Sequence, residues 1–218
     1  MGLLNTLFKP ALLLILITFI SSASANQKIL VWGDSLSAAY RIPIEKGWVN
    51  LLRKKIGRDF EIINGSISGE TSKGGLTRLP NALKKIAPHY LILELGANDG
   101  LRGLPPNITK KNLTDIIEQA QLSNVQVILL GMKIPPNYGV AYTKKFESIF
   151  PDLAEKYNLP YVPFLLEKVV LDLTLLQADE LHPTADAQPL ILETILPTIL
   201  PTILPKILPT ITNNAANH

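Results

Sequence analysis

The stretch KILVWGDSLS, residues 28–37, joins a short apolar run to a turn with Gly, Asp and Ser, and similar arrangements recur along the chain. A short run that is apolar nearly throughout indicates a strand covered on both faces. We predict five strands: KILVW at 28–32, FEIIN at 60–64, YLILEL at 90–95, VQVILL at 125–130 and YVPF at 161–164.

Longer stretches between the strands have apolar residues at helical spacing. They are Glu45–Ile56, Leu76–Ile86, Lys110–Leu122 and Tyr142–Tyr157. Pro80 and Pro151 fall inside two of these stretches, so we expect those helices to start late, kink or break there. Strands that alternate with helices predict an α/β fold, a single three-layer α/β/α domain with a parallel sheet in the middle.

The N-terminal segment, residues 1–25, does not resemble part of this fold. Lys9 is its one charged residue, and the apolar run ALLLILITFI that follows is too short to span a bilayer. Ala23-Ser24-Ala25 then fits the small-residue rule for signal peptidase. We therefore predict a signal peptide at 1–25 and an exported chain, periplasmic or secreted, with no stable membrane span after cleavage. A retained membrane anchor is the alternative.

The C-terminal segment repeats Thr-Ile-Leu-Pro three times from Thr194. Proline at every fourth residue removes one helical hydrogen bond per turn, so we expect a last helix over about Thr184–Leu196 that ends there. The domain would then cover 26–196. Residues 197–218 would form a low-complexity tail, a neutral expansion or, less in keeping with its simple repeat, a docking segment.

The charges and the absence of cysteine limit the classes of function. The 21 basic and 18 acidic residues are scattered, which indicates solvated helix faces and no nucleic-acid-binding stripe. With no cysteine, disulfides and thiolate chemistry are excluded. We expect no nucleic-acid partner.

Three polar segments follow predicted strands at the edge where open α/β sheets place their ligands. Ser35, on a turn after the first strand, can present its hydroxyl and its own N–H there. Gly69 lets a backbone N–H approach a substrate oxygen closely. Asn98 offers an amide donor of the kind that stabilises an oxyanion. Each motif taken alone is equally compatible with an ordinary turn or helix cap.

A fourth segment, before the predicted last helix, supplies an imidazole. Of the three histidines, His218 is terminal and His89 precedes a strand, so His182 is the credible base. Asp179, three residues earlier, can reach the Nδ1–H of His182 across one turn. A surface pair or two metal ligands would have the same spacing, but with no cysteine and one usable histidine a metal site would lack further ligands.

Taken together and in this order, GDSLS, the glycine at 69, GAND at 96–99 and DELHP at 179–183 resemble the SGNH or GDSL-type hydrolases. The resemblance extends over about residues 29–192, with Ala97 as a departure where glycine is usual. It implies a flavodoxin-like sheet of order 2-1-3-4-5. It also implies Ser35 as nucleophile, His182 as base oriented by Asp179, and an oxyanion hole formed by the N–H groups of Ser35 and Gly69 and the Asn98 amide. No cofactor and no metal are implied.

The same resemblance implies small-molecule acyl esters or thioesters as substrates: fatty acyl thioesters, lysophospholipids or aryl esters. A carbohydrate acetyl esterase acting on envelope polysaccharide would use the same residues. A non-catalytic exported binding protein is a third alternative, which the intact set of polar residues disfavours. The loop Pro135–Gly139 is our candidate for a pocket wall, whereas Leu36 and Leu79 suit a pocket or the core equally.

Overall fold

The computed structural model describes residues 26–204, and they contain one parallel sheet of five strands. The sheet order is β2-β1-β3-β4-β5, which confirms the order implied by the resemblance. The strands are β1 (Gln27–Gly33), β2 (Phe60–Asn64), β3 (Tyr90–Glu94), β4 (Gln126–Leu130) and β5 (Tyr161–Val162). The predicted signal peptide at 1–25 and residues 205–218 of the predicted tail lie outside the described residues.

Helices cover both faces of the sheet, as predicted. They are α1 (Trp48–Ile56), α2 (Ser72–Ile86), α3 (Ala97–Leu101), α4 (Pro106–Leu122), α5 (Val140–Glu147), α6 (Ile149–Lys156) and α7 (Gln188–Ile203). Helix α1 packs against α7 in one layer, and α2 packs against α4, which contacts α6, in the other. No helix within residues 26–204 is long and apolar enough to cross a membrane.

The central strands β1 and β3 are the most buried part of the sheet. Residues 29–33 of β1 and all of β3 are buried, because helices cover the sheet above and below. In the β1–β3 register Gly33 faces Glu94, so both strands end at the same edge. The turns that follow these two strands are therefore neighbours in space, which is where the polar segments lie.

The two internal prolines behave differently. The stretch around Pro151 breaks as predicted: α5 ends at Glu147, and α6 begins at Ile149, so that Pro151 lies in its first turn. The late start or break expected at Pro80 was wrong, because α2 begins earlier than expected and runs through the proline. Pro80 is exposed, so the carbonyl group that loses its helical N–H partner can bond to water.

The predicted end of the last helix at Leu196 was also wrong. Helix α7 begins at Gln188 and continues through Pro197 and Pro201 to Ile203. The four-residue repeat is close enough to the helical period to keep like residues on one face. The isoleucines point inward, fully buried, and the prolines lie on the exposed face. Burial of the isoleucines offsets the lost hydrogen bonds, so residues 197–203 belong to the domain and not to a tail.

Candidate active site

Ser35 lies on the turn that follows β1, at the carboxyl edge of the sheet. The turn is held from inside by Asp34, whose Oδ1 accepts a hydrogen bond from the Leu36 N–H at 3.0 Å. Ser35 itself is largely buried, with 9% of its surface exposed. Its hydroxyl lies 2.9 Å from Nε2 of His182, although the two residues are far apart in the sequence.

His182 and Asp179 come from the loop before α7. Nδ1 of His182 lies 2.8 Å from Oδ2 of Asp179. A carboxylate only accepts hydrogen bonds, so Nδ1 carries the proton, and Nε2 is left free to accept the hydrogen of Ser35. The structure therefore joins the three residues in one hydrogen-bonded chain, with the tautomer that proton transfer from serine requires.

The backbone of this loop fixes the orientation of Asp179. Its Oδ1 accepts the N–H groups of Leu181 at 3.1 Å and His182 at 3.0 Å. Partial burial acts to raise the pKa of Asp179, but these hydrogen bonds and the His182 ring lower it to about 2. Asp179 is thus ionised at neutral pH and can stabilise a positively charged imidazolium.

Two further residues, which the motifs did not indicate, shape the surroundings of the Ser–His–Asp hydrogen bonds. The ring of Tyr40 packs against the His182 ring, with centroids 4.4 Å apart. Glu180, between the acid and the histidine, has a φ of 55°, which turns the backbone sharply enough for the two side chains to meet. Neither feature has a recognisable signal in the sequence.

The three predicted oxyanion donors lie on the turns after β1, β2 and β3. Asn98 is in the first turn of α3, and its Nδ2 donates one hydrogen bond to Oδ2 of Asp34 at 3.0 Å. Gly69 has a φ of +78°, a conformation that favours glycine. Its carbonyl accepts a hydrogen bond from Nη2 of Arg102 at 2.9 Å. Among the described residues, neither the Ser35 N–H nor the Gly69 N–H has a backbone or side-chain acceptor.

A cleft of about 380 Å³ opens beside Ser35, and Asn98 and His182 also line it. Gly69 is not among its lining residues. The remaining wall is mostly apolar, with Leu101, Ile134, Pro135, Pro136, Phe164, Leu166, Val170 and Leu176. Of the predicted pocket wall Pro135–Gly139, Pro135 and Pro136 line the cleft and the other three residues do not. Leu36 also lines the cleft, whereas Leu79 is fully buried in the core.

The remaining candidate residues lie elsewhere. His89 is exposed at the opposite edge of the sheet, where its Nδ1 accepts the Lys28 N–H at 3.0 Å. Asp99 is fully buried, and it accepts a hydrogen bond from the N–H of Ser72 at 2.8 Å, at the start of α2. Within residues 26–204, no group of three His, Asp or Glu side chains is arranged to hold a metal ion.

Glu94 is a further residue at this site that sequence reasoning missed. It ends β3 and is fully buried, and its Oε2 accepts the Ser37 hydroxyl at 2.7 Å and the Asp34 N–H at 3.1 Å. Burial, followed by the negative charge of Asp34, raises the pKa of Glu94 well above its usual range. Burial also raises the pKa of Asp34, to about 6. A single acid in an otherwise apolar strand was the available signal.

A parallel α/β sheet with a hydrogen-bonded Ser–His–Asp chain beside an apolar cleft defines the class of serine hydrolases. Comparison with known proteins narrows the class. Residues 31–189 match the model of the GDSL-like Lipase/Acylhydrolase family. The chain belongs to this family.

Individual relatives cover almost the whole domain. An arylesterase of Vibrio mimicus is 45% identical over 186 residues, which is 84% of this chain and 93% of the relative. Thioesterase 1/protease 1/lysophospholipase L1 of Escherichia coli K12 is 41% identical over 192 residues, 87% of this chain and 91% of the relative. The psychrotrophic esterase EstA from Pseudoalteromonas, inhibited by monoethylphosphonate, has a solved structure. It superposes with a TM-score of 0.77 at 42% identity, over 81% of this chain and 98% of that chain.

Proposed function

We propose that this protein is an exported serine hydrolase that cleaves acyl esters or thioesters through an acyl-enzyme on Ser35. The observation that carries the proposal is the hydrogen-bonded chain from Ser35 through His182 to Asp179, with distances of 2.9 and 2.8 Å. Ser35 and His182 line a mostly apolar cleft. The apolar wall favours substrates with an acyl chain, because burial of that chain removes apolar surface from water.

In the first step Oγ of Ser35 attacks the acyl carbonyl carbon, and Nε2 of His182 takes the serine proton. Ionised Asp179 stabilises the imidazolium that forms. The negative charge develops on the former carbonyl oxygen, where the Ser35 and Gly69 N–H groups and the Asn98 amide would donate hydrogen bonds. His182 then returns the proton to the departing alcohol or thiol, leaving the acyl group on Ser35.

In the second step a water molecule attacks the acyl-enzyme by the same route. His182 accepts a proton from the water and passes it to Oγ of Ser35 as the carboxylic acid leaves. All groups required for both steps are side chains or backbone N–H groups of this chain.

The named relatives support three substrate types: aryl esters, acyl thioesters and lysophospholipids. All three can place an apolar acyl chain in the cleft, with the leaving group toward solvent. An acetyl group on a polysaccharide would leave most of the apolar wall unused. Export is supported by the signal-peptide pattern of residues 1–25.

A substrate panel tests the proposal. The mature protein, starting at Asn26, is assayed on acyl-CoA thioesters of several lengths, a lysophospholipid, an aryl ester and an acetylated sugar. We expect hydrolysis of the first three types, faster for longer acyl chains than for acetyl, and loss of activity in Ser35→Ala. Activity confined to the acetylated sugar would favour a carbohydrate esterase. Equal rates for Ser35→Ala and the unchanged protein would reject the acyl-enzyme.

A further inference from the structure

A pair of buried carboxyl groups lies behind the predicted oxyanion hole. Asp34 and Glu94 are both fully buried, and the backbone N–H of Asp34 donates a hydrogen bond to Oε2 of Glu94 at 3.1 Å. No lysine or arginine forms a salt bridge with either of them among the described residues. Besides Glu94, the ionisable side chain that acts on Asp34 is His182. Two buried negative charges without a cation between them are strongly unfavourable, so one of the two must carry a proton.

The hydrogen bonds show which of the two carries it. Oε2 of Glu94 accepts two hydrogen bonds, from the Ser37 hydroxyl at 2.7 Å and the Asp34 N–H at 3.1 Å, as a carbonyl oxygen does. Oε1 is buried and has no hydrogen-bond partner among the described residues. A buried carboxylate oxygen without a donor is unfavourable, so this environment favours a neutral carboxyl group.

Asp34 has the opposite pattern. Its Oδ1 accepts the Leu36 N–H at 3.0 Å, and its Oδ2 accepts Nδ2 of Asn98 at 3.0 Å. Both oxygens are acceptors, as they are in a carboxylate. Asp34 also binds one of the two amide hydrogens of Asn98, which fixes the direction of the other.

We propose that Glu94 is protonated at neutral pH beside ionised Asp34, and that Asp34 holds the Asn98 amide toward the oxyanion. Glu94 and Asp34 are positioning residues in this proposal, since they act on the reaction through Asn98. The glycine at position 33 makes room for the side chain of Glu94. A Cβ at Gly33 would lie 2.4 Å from Oε2 of Glu94, so only glycine leaves room for the acid.

The claim that Asp34 positions the Asn98 amide rests on the proposed function, and a double-mutant cycle tests it. Asp34→Asn and Asn98→Ala are measured singly and together on one ester. We expect Asp34→Asn to lower kcat by about tenfold or more with little change in KM. On the Asn98→Ala background the same change should lower kcat by less than about twofold, because the group through which Asp34 acts is gone. Losses that multiply in full would show that Asp34 does not act through Asn98.

The protonation state of Glu94 can be tested without an activity assay, so this part of the proposal does not depend on the proposed function. Infrared spectra of protein labelled with ¹³C-glutamate should show the carbonyl stretch of a protonated carboxyl group at neutral pH, and Glu94→Gln should lack it. Identical spectra for the two proteins would overturn the proposal. As a kinetic check, Glu94→Gln should recover most of the kcat lost in Glu94→Ala, because glutamine is neutral and its oxygen can also accept the Ser37 hydroxyl and the Asp34 N–H. Equal losses in both variants would contradict a neutral Glu94.

Discussion

At the scale of residues, the site combines two carboxyl groups whose pKa values are shifted in opposite directions. Asp179 accepts backbone N–H groups and the His182 ring, and its pKa falls to about 2. Glu94 lies in a fully buried strand end, where burial raises its pKa well above the usual range. The same chemical group thus serves as a fixed negative charge at one position and as a neutral acid at the other.

Removal of single members of the hydrogen-bonded chain should affect the rate unequally. We expect Ser35→Ala and His182→Ala each to lower kcat at least about 10³-fold, and the double variant to be little worse than either, because the residues act as a unit. Asp179→Ala should cost less, since the base survives without its orientation. Steady-state kinetics on one ester, with circular dichroism as the folding control, measures this. Multiplicative losses in the double variant would contradict a joint role.

The pH dependence of stability offers a second prediction at this scale. Because burial and the charge of Asp34 raise the pKa of Glu94 well above 4.5, the folded state keeps a proton that the unfolded state has released. The free energy of unfolding then falls as pH rises from 4.5 toward the folded-state pKa, by about 1.4 kcal/mol per pH unit. Glu94→Gln removes this dependence.

The unchanged protein and Glu94→Gln are best compared above about pH 7. Burial raises the pKa of Asp34 to about 6, so below that pH the titration of Asp34 also changes the free energy of unfolding. Urea unfolding at several pH values between about 7 and 8 should show a shallower fall for Glu94→Gln than for the unchanged protein. The two slopes should differ by up to about 1.4 kcal/mol per pH unit. Parallel slopes would mean that Glu94 is already ionised in the folded protein.

At the scale of elements, α7 shows how a repetitive sequence can form a packed helix. Ile191, Ile195, Ile199 and Ile203 are all fully buried, whereas Pro197 and Pro201 are exposed. The helix packs against α1 and β5, and Oε1 of Gln188 accepts the N–H of Trp48 at 3.0 Å, at the start of α1. The repeat is therefore part of the layer that covers one face of the sheet.

We expect Ile199→Ala to lower the free energy of unfolding by about 2–5 kcal/mol, the usual range for a buried isoleucine. Pro197→Ala is the matched control, since it changes an exposed residue of the same repeat and restores a helical N–H. It should leave stability unchanged or increase it. Urea denaturation of both variants decides the matter. A negligible effect of Ile199→Ala would show that this part of the repeat is dispensable.

Periodicity predicted the elements well where local pattern and tertiary packing agree. FEIIN coincides with β2, and three other strand predictions are correct to within one residue at each end. The fifth strand ends early, at Val162, because Pro163 has no N–H to continue the ladder. The errors at Pro80 and in α7 share a cause. The expectation that proline ends a helix considers only the lost hydrogen bond, and only the fold shows that these prolines lie on the exposed face.

At the scale of the whole molecule, the same edge of the sheet collects residues from four separate segments of the chain. The order of the strands and their common ends could be predicted, and so could the residues that follow them. The contacts of Asp34 with Glu94 and of Arg102 with Gly69 could not, because they depend on which side chains meet across turns. The role of Glu94 was hidden for the same reason, since its partner is set by strand register.

The proposed export of the chain predicts where the mature protein begins. The Ala23-Ser24-Ala25 pattern indicates cleavage after Ala25. N-terminal sequencing of protein recovered from the periplasm or the medium should therefore begin at Asn26. Intact protein that begins at Met1 and sediments with the membrane fraction would contradict cleavage and favour a retained anchor.

The central claim is that Ser35 is the nucleophile and that His182 activates it. The most direct test is the reaction of the mature protein with an alkyl phosphonate ester, followed by mass spectrometry of the intact protein and of its peptides. We expect one phosphonyl group per protein, on the peptide that contains Ser35, and labelling at least about 100-fold slower in His182→Ala. Labelling at another residue, or an equal extent of labelling in Ser35→Ala, would contradict the account.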